Sequence, residues 1–440
     1  MLMTRRVGLA LLLSGFVALG AAGPAPVVAG EFPKLDALPS QTQPPDPLKM
    51  FDGTPVTTAE QWFSARRPEI KALFEHYMYG AAPPPPEVSA TIERSNDTLF
   101  GGKATLQEVT LRFGPPAAPP VHLLLVIPNQ RQGPIPAFVG LNFCGNHAVL
   151  DDPEIRIPSG WMYKHCPGCE NARATASGRG GEKDVWCAET LVNRGYALAT
   201  FYDGDIDPDL ADFTDGIHPH YLPAGSQAPG PHDWGTIAAW AWGLQRAVDY
   251  LLTREEIHPE KIAAIGHSRL GKTALLAGAF DERIAIVVPH QSGTGGCALS
   301  RDNDQETVER INRSFPHWFN DAFVEFGGHE DRLPIDQHLL MALVAPRPLL
   351  DTEGLQDKWA NYDNAYRALQ AADAVYKFLG AKGLVDGGRV EADESIEGPK
   401  FGALMQYRRD TRHVLNQDYW NKILDFADRH YAGPRPERVK

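Results

Sequence analysis

Apolar residues along the chain fall into two patterns. Short continuous runs occupy residues 121–127, 137–143, 195–202 (GYALATFY), 261–265, 284–288 and 348–351. Unbroken runs of this kind suit strands covered on both faces. Between them, apolar side chains return at helical spacing. Trp234, Ile237, Trp240, Leu244 and Val248 predict a helix over 233–252, and residues 272–280 (KTALLAGAF) predict a second. Residues 361–379 and 418–431 predict two more, and residues 305–326 a helical insertion. Strands alternating with helices predict a mostly parallel central sheet in a three-layer αβα sandwich.

The junction between the strand at 261–265 and the next helix reads Gly266-His267-Ser268-Arg269-Leu270-Gly271-Lys272. A serine at a tight strand-to-helix turn sits on a strained backbone with its hydroxyl exposed and a helix N-terminus beneath it. Gly266 and Gly271 leave room for helix and strand to approach. The spacing departs from the common G-x-S-x-G, because Arg269 and Leu270 push the second glycine one place on. Such an elbow after a central strand predicts an α/β-hydrolase fold.

A serine hydroxyl is a poor nucleophile until a base takes its proton, and the base needs a third group to orient it. In this fold the order is Ser, acid, His. After the elbow stand His290, His317, His329, His338, His413 and His430. His413, in the polar loop before the last helix, is the expected base. Gln291 follows the strand after the elbow but carries no charge. Asp351, Glu353 and Asp357 follow the next strand; the first two abut the strand end and could cap it, so Asp357, beside Trp359, is the favoured acid. A Gln291→Glu change is expected to recover part of the rate lost in Asp357→Asn, provided His413 reaches both positions.

The chain has 440 residues, 43% hydrophobic and 22% charged, ordinary for a globular enzyme. No linker, repeat or low-complexity block divides it, so residues 30–440 are expected to form one catalytic domain. Arg5 and Arg6, the apolar stretch 7–22 and small residues at 27–29 predict a signal peptide over 1–29 and an exported protein, secreted or periplasmic. A net charge of −13 with scattered cations argues against nucleic-acid or membrane partners. Five cysteines include Cys166 and Cys169 around Pro-Gly. With no second pair at metal spacing, a loop-stapling disulfide, for instance to Cys187, is expected rather than a metal site. No cofactor is expected, and the chain is read as a monomer.

With Ser268 followed by Arg269 and then Gly271-Lys272, the chain resembles the bacterial glucuronoyl esterases of carbohydrate esterase family 15. The segments Gly140 to His147, Gly204 to Asp209, Ser292 to Gly296, Glu306 to Asn312, Ala345 to Pro348 and Leu424 to Asp428 carry the same resemblance. It implies hydrolysis of the ester joining 4-O-methyl-glucuronic acid, borne on xylan, to lignin alcohols. Nucleophile and base then fall on Ser268 and His413, oxyanion contact on Arg269, and substrate contacts on Lys272, Glu306, Trp359 and the Gln291 position. In many members a glutamate at the Gln291 position is the acid; bacterial members can use one in the following loop, matching Asp357. For the alternating Asp205, Asp207 and Asp209 the resemblance implies a structural loop. Two other readings keep much of this pattern: an acetyl-xylan or other carbohydrate esterase on the same triad, and an inactive carbohydrate-binding relative.

Overall fold

The predicted strands assemble into the middle of a ten-stranded sheet. A computed structural model describes residues 32–222, 225–226 and 229–432, so the expected signal peptide lies outside the described residues. In chain order the strands are β1 (Ser89–Thr98), β2 (Ala104–Arg112), β3 (Val121–Pro128), β4 (Ile135–Asn142), β5 (Cys169–Glu170), β6 (Arg173–Ala174), β7 (Ala197–Tyr202), β8 (Ile257–His267), β9 (Ile286–His290), β10 (Leu349–Gly354), β11 (Arg389–Val390) and β12 (Leu404–Arg409). Strands β5 and β6 form a separate hairpin; the others lie in the order β1-β2-β3-β7-β4-β8-β9-β10-β12-β11. From β7 onward all neighbours are parallel. Strands β1 and β3 are each antiparallel to β2, and β3 to β7. With the elbow after β8, this is the α/β-hydrolase fold that the sequence predicted.

Strand β8 shows why the central runs are apolar throughout. Side chains alternate between faces: Ile262 and Ala264 belong to one core cluster, and Ala263 and Ile265 to another. The first cluster is covered by α2 (Thr236–Leu251), α3 (Arg269–Phe280), α5 (Gln337–Ala342) and α6 (Tyr362–Phe378); the second by α1 (Ala188–Asn193) and α7 (Gln417–Ala432). Among the described residues no helix is long and apolar enough to cross a membrane.

Three expectations change. Residues 305–326 are not one helix: α4 covers Val308–Ser314, and a separate turn of helix covers Asp321–Val324. Pro316 explains the break, because the residue before a proline is pushed out of the helical region, and Phe315 sits at φ −140°, ψ 69°. Helix α3 starts at Arg269 rather than Lys272. Cys166 pairs with Cys144, not with Cys187, whose thiol is free and buried along with that of Cys297. The bond ties the loop after β4 to the segment leading into β5.

Candidate active site

Ser268 occupies the expected elbow with φ 60° and ψ −127°. A non-glycine residue there carries strain of about 1–3 kcal/mol, which its surroundings hold in place. Its N–H donates to the His290 carbonyl at the end of β9 (2.9 Å), and its own carbonyl accepts from Gly271 and Lys272 (2.8 and 3.1 Å). A Cβ on Gly266 would lie 1.8 Å from the Leu270 carbonyl oxygen, so only glycine lets α3 turn back this sharply. The Arg269 N–H, first in the helix, has no acceptor within it.

His413 donates from Nδ1 to Asp357 Oδ2 at 2.5 Å. A carboxylate can only accept here, which fixes the proton on Nδ1 and leaves Nε2 as acceptor. The loops carrying these residues are joined by backbone bonds: Leu355 donates to Arg409 (2.7 Å) and Gln356 to Thr411 (2.9 Å). His413 and Ser268 line one cavity of about 320 Å³. Beneath His413 lies His267, ring centroids 4.3 Å apart. Burial, with repulsion from His413, His290 and Arg269, holds His267 far below the ordinary imidazole value. His290, next in the stack, is lowered to about 3 by burial; its Nε2 faces the Val414 carbonyl at 3.0 Å and its Nδ1 the Thr352 hydroxyl at 2.7 Å.

Asp351 and Glu353, the other candidate acids, are strand residues of β10, fully buried. Burial raises both carboxyls, and Asp351 accepts from Gln406 (2.9 Å). Gln291 has a place the sequence did not suggest. Its amide donates to the Arg412 carbonyl (3.0 Å) and accepts from the Val414 N–H (2.8 Å), clasping the backbone on both sides of His413. Both amide atoms are therefore engaged within the protein, and the side chain, placed by sequence among the substrate contacts, is buried beneath the His413 loop.

Arg269 pairs through Nη1 with Asp209, leaving Nη2 without a protein partner among the described residues. Its guanidinium stands 4.7 Å from the Trp318 ring and 5.0 Å from that of Phe315. Asp209 also accepts from His317 (2.7 Å) and Trp318 (2.6 Å). Burial pushes the Asp209 carboxyl up, but the His317 bond, the Arg269 charge and the Trp318 bond outweigh it and lower its pKa to about 2. Asp209 therefore anchors Arg269, a role that sequence spacing did not reveal. Asp205 and Asp207 hold structure instead, through His122 and Thr236.

Lys272 is buried and donates to the carbonyls of Ser292 (2.7 Å) and Thr294 (2.6 Å) and to Glu306 (3.2 Å). Burial lowers its pKa despite Glu306. Glu306 in turn accepts from the Thr294 N–H (2.8 Å) and the Trp359 indole (2.9 Å). Trp359 alone of the three is open to solvent, 46% exposed.

Residues 226–380 match the family model "Glucuronyl esterase, fungi". The chain is 41% identical over 391 residues, 88% of its length and 90% of the relative's, to the carbohydrate esterase MZ0003 of an unknown prokaryotic organism. This chain belongs to carbohydrate esterase family 15. Family members are carboxylic ester hydrolases. A 4-O-methyl-glucuronoyl methylesterase of Schizophyllum commune is 31% identical over 76% of this chain and 73% of that protein. Among solved structures, a glucuronoyl esterase from Solibacter usitatus is 34% identical with a TM-score of 0.81, covering 89% of this chain and 99% of that one. A CE15 esterase from a marine bacterial metagenome, described as promiscuous, is 41% identical with a TM-score of 0.80, covering 90% and 99%.

Proposed function

We propose that this protein is an exported serine esterase hydrolysing esters between 4-O-methyl-glucuronic acid on xylan and lignin alcohols. In this reading residues 30–440 form its single catalytic domain, released by cleavage before Gly30 and acting as a monomer. The observation that carries the reading is the Nδ1-to-Asp357 bond of His413 above the cavity that Ser268 shares.

Ser268 Oγ attacks the ester carbonyl as His413 Nε2 takes its proton, and Asp357 stabilises the imidazolium. The tetrahedral oxyanion meets the Arg269 N–H and its unengaged Nη2. Each such donor contributes roughly 3–4 kcal/mol in other hydrolases. The loop after β4, residues 143–145, lines the same cavity and supplies the second backbone donor this fold uses. Collapse expels the alcohol, which takes the proton from His413. Water then attacks the acyl-enzyme, His413 acting as base, and releases the uronic acid. Trp359 and the Glu306 and Lys272 pair behind it recognise the sugar hydroxyls.

The second reading, a broader carbohydrate esterase, is favoured by the marine relative described as promiscuous. Turnover of benzyl and methyl glucuronates is compared with that of acetylated xylose, for the wild type and Ser268→Ala. Higher kcat/KM on glucuronates, lost in Ser268→Ala, is expected. Faster acetyl hydrolysis would favour the broader esterase; binding of glucuronoxylan without hydrolysis would leave only a carbohydrate-binding protein.

A further inference from the structure

The antiparallel edge of the sheet holds a second cavity, of about 450 Å³, within the roughly 300–1,000 Å³ usual for ligand sites. Alternation along β2 and β3 explains its walls. Ala104 and Leu106 of β2, with Leu124 and Val126 of β3, belong to the core cluster under α1 and α7. Further along the same face the side chains turn polar: Glu108, Thr110 and Arg112 on β2 and His122 on β3 all line the cavity. Arg156 closes one side, and a bulge that inserts Glu93 between Ile92 and Arg94 of β1 adds a carboxylate.

Two of these groups are fixed by the protein. Glu108 accepts from the Arg156 N–H (2.7 Å) and from Arg94 (3.4 Å). His122 meets Asp205 through Nδ1 at 3.1 Å, which places the proton there and leaves Nε2 as acceptor. The others have no such partner. Thr110 is only 8% exposed, yet its hydroxyl has no hydrogen bond among the described residues. The guanidiniums of Arg112 and Arg156 and the carboxylate of Glu93 likewise have none among the described residues. A hydroxyl drawn out of water without a partner is unfavourable by roughly 1–3 kcal/mol, and a ligand hydroxyl relieves it. An anion here would meet Glu93 and Glu108, and a cation the two guanidiniums. A neutral sugar, whose hydroxyls both donate and accept, satisfies both sets.

The cavity lies at the same end of the sheet as the elbow. Leu123, next to His122, pairs with Phe201 near the end of β7, and β3 is three strands from β8, roughly 15 Å. The loop after β4 joins the two places: Phe143 to Gly145 line the catalytic cavity and Asn146 lines this one. We propose that this cavity is a second carbohydrate site, binding a neutral sugar unit of the polysaccharide whose ester is cleaved at Ser268. That the polymer is xylan rests on the glucuronoyl reading; the site itself requires only a neutral, hydroxyl-rich chain.

The test combines affinity electrophoresis in gels containing arabinoxylan or polygalacturonate with kinetics on a polymeric and a small ester. Arabinoxylan is expected to retard the wild type, with the dissociation constant raised about tenfold in Thr110→Val, the scale of one hydrogen bond, and further in the double variant Arg112→Ala, Arg156→Ala. On methyl-esterified glucuronoxylan these variants should raise KM about fivefold with kcat unchanged, and on methyl glucuronate both constants should match the wild type. Should Thr110→Val fail to fold, the double variant on the exposed rim reads the same loss. No retardation of the wild type, retardation or polymer KM unchanged in the variants, or stronger retardation by polygalacturonate would overturn the site. If the variants lose retardation but the wild type hydrolyses no glucuronate, the site stands and the glucuronoyl reading falls. Glucuronate hydrolysis with retardation and polymer KM unaltered in the variants does the reverse.

Discussion

Strand β10 and the loop that follows it both carry acidic side chains, and their surroundings give them opposite characters. Asp351 and Glu353 lie inside the sheet, where burial pushes both carboxyls toward the neutral form. Asp357 lies in the loop, where the N–H of a half-exposed histidine meets it at 2.5 Å. In the proposed triad the acid needs a donor to orient, and Asp357, three residues of chain beyond the strand, has one in the His413 N–H. Charge alone does not make the acid; position relative to a donor does.

The comparison breaks most sharply if the loop carboxylate is dispensable. Asp357→Asn is expected to lower kcat about 10⁴-fold, as when a triad histidine loses its correct tautomer. A loss below tenfold in steady-state kinetics would remove Asp357 from the triad. Asp209→Asn releases the Arg269 guanidinium and is expected to lower kcat roughly 10²-fold, the scale of one oxyanion donor, with a smaller change in KM.

The effect of burial on titrating groups is readable in stability too. His290 is neutral when folded, with a pKa of about 3 against roughly 6.5 unfolded. Between those values the unfolded chain binds more protons, so stability falls as pH drops from about 6.5 toward 3. The loss at pH 5 relative to neutral pH is about 2 kcal/mol from this residue. Urea unfolding at pH 7 and pH 5 should show a smaller difference in His290→Asn than in the wild type; equal differences would contradict the assignment.

Gln291→Glu sharpens the comparison from the other side. A glutamate cannot donate to the Arg412 carbonyl, and its charge would oppose that oxygen. We expect a roughly tenfold lower kcat, on the scale of one lost hydrogen bond beside the base, and no rescue of Asp357→Asn. This reverses the expectation from sequence that a carboxylate here would substitute for Asp357. Glu353→Gln should be the mildest change, within about threefold in kcat at neutral pH, because burial already favours its neutral form.

Much of this was legible in the chain because it is written locally. The elbow around Ser268, the buried runs of β4, β7 and β8, and the position of His413 before α7 each follow from a few adjacent residues. Strands β1 and β2 were not expected: β1 has largely exposed side chains and lacks the apolar run that marks the central strands. The break in 305–326 was signalled by Pro316 and outweighed by the apolar spacing around it. Partnerships between distant segments left no such trace. Asp209 with Arg269, Gln291 with Arg412 and Val414, and Cys144 with Cys166 depend on how loops meet at the ends of parallel strands. Lys272 and Glu306 were expected at the pocket as separate polar groups, and the fold instead joins them in a buried ion pair.

The central claim is that Asp357, acting through His413, activates Ser268. The rate at which a small fluorophosphonate labels the protein reads that activation without assuming a substrate. Mass spectrometry of the digested protein is expected to place the label on Ser268 alone, with labelling slowed at least 100-fold in Asp357→Asn and hardly altered in Glu353→Gln. A label on another residue, or an unchanged rate in Asp357→Asn, would contradict the claim.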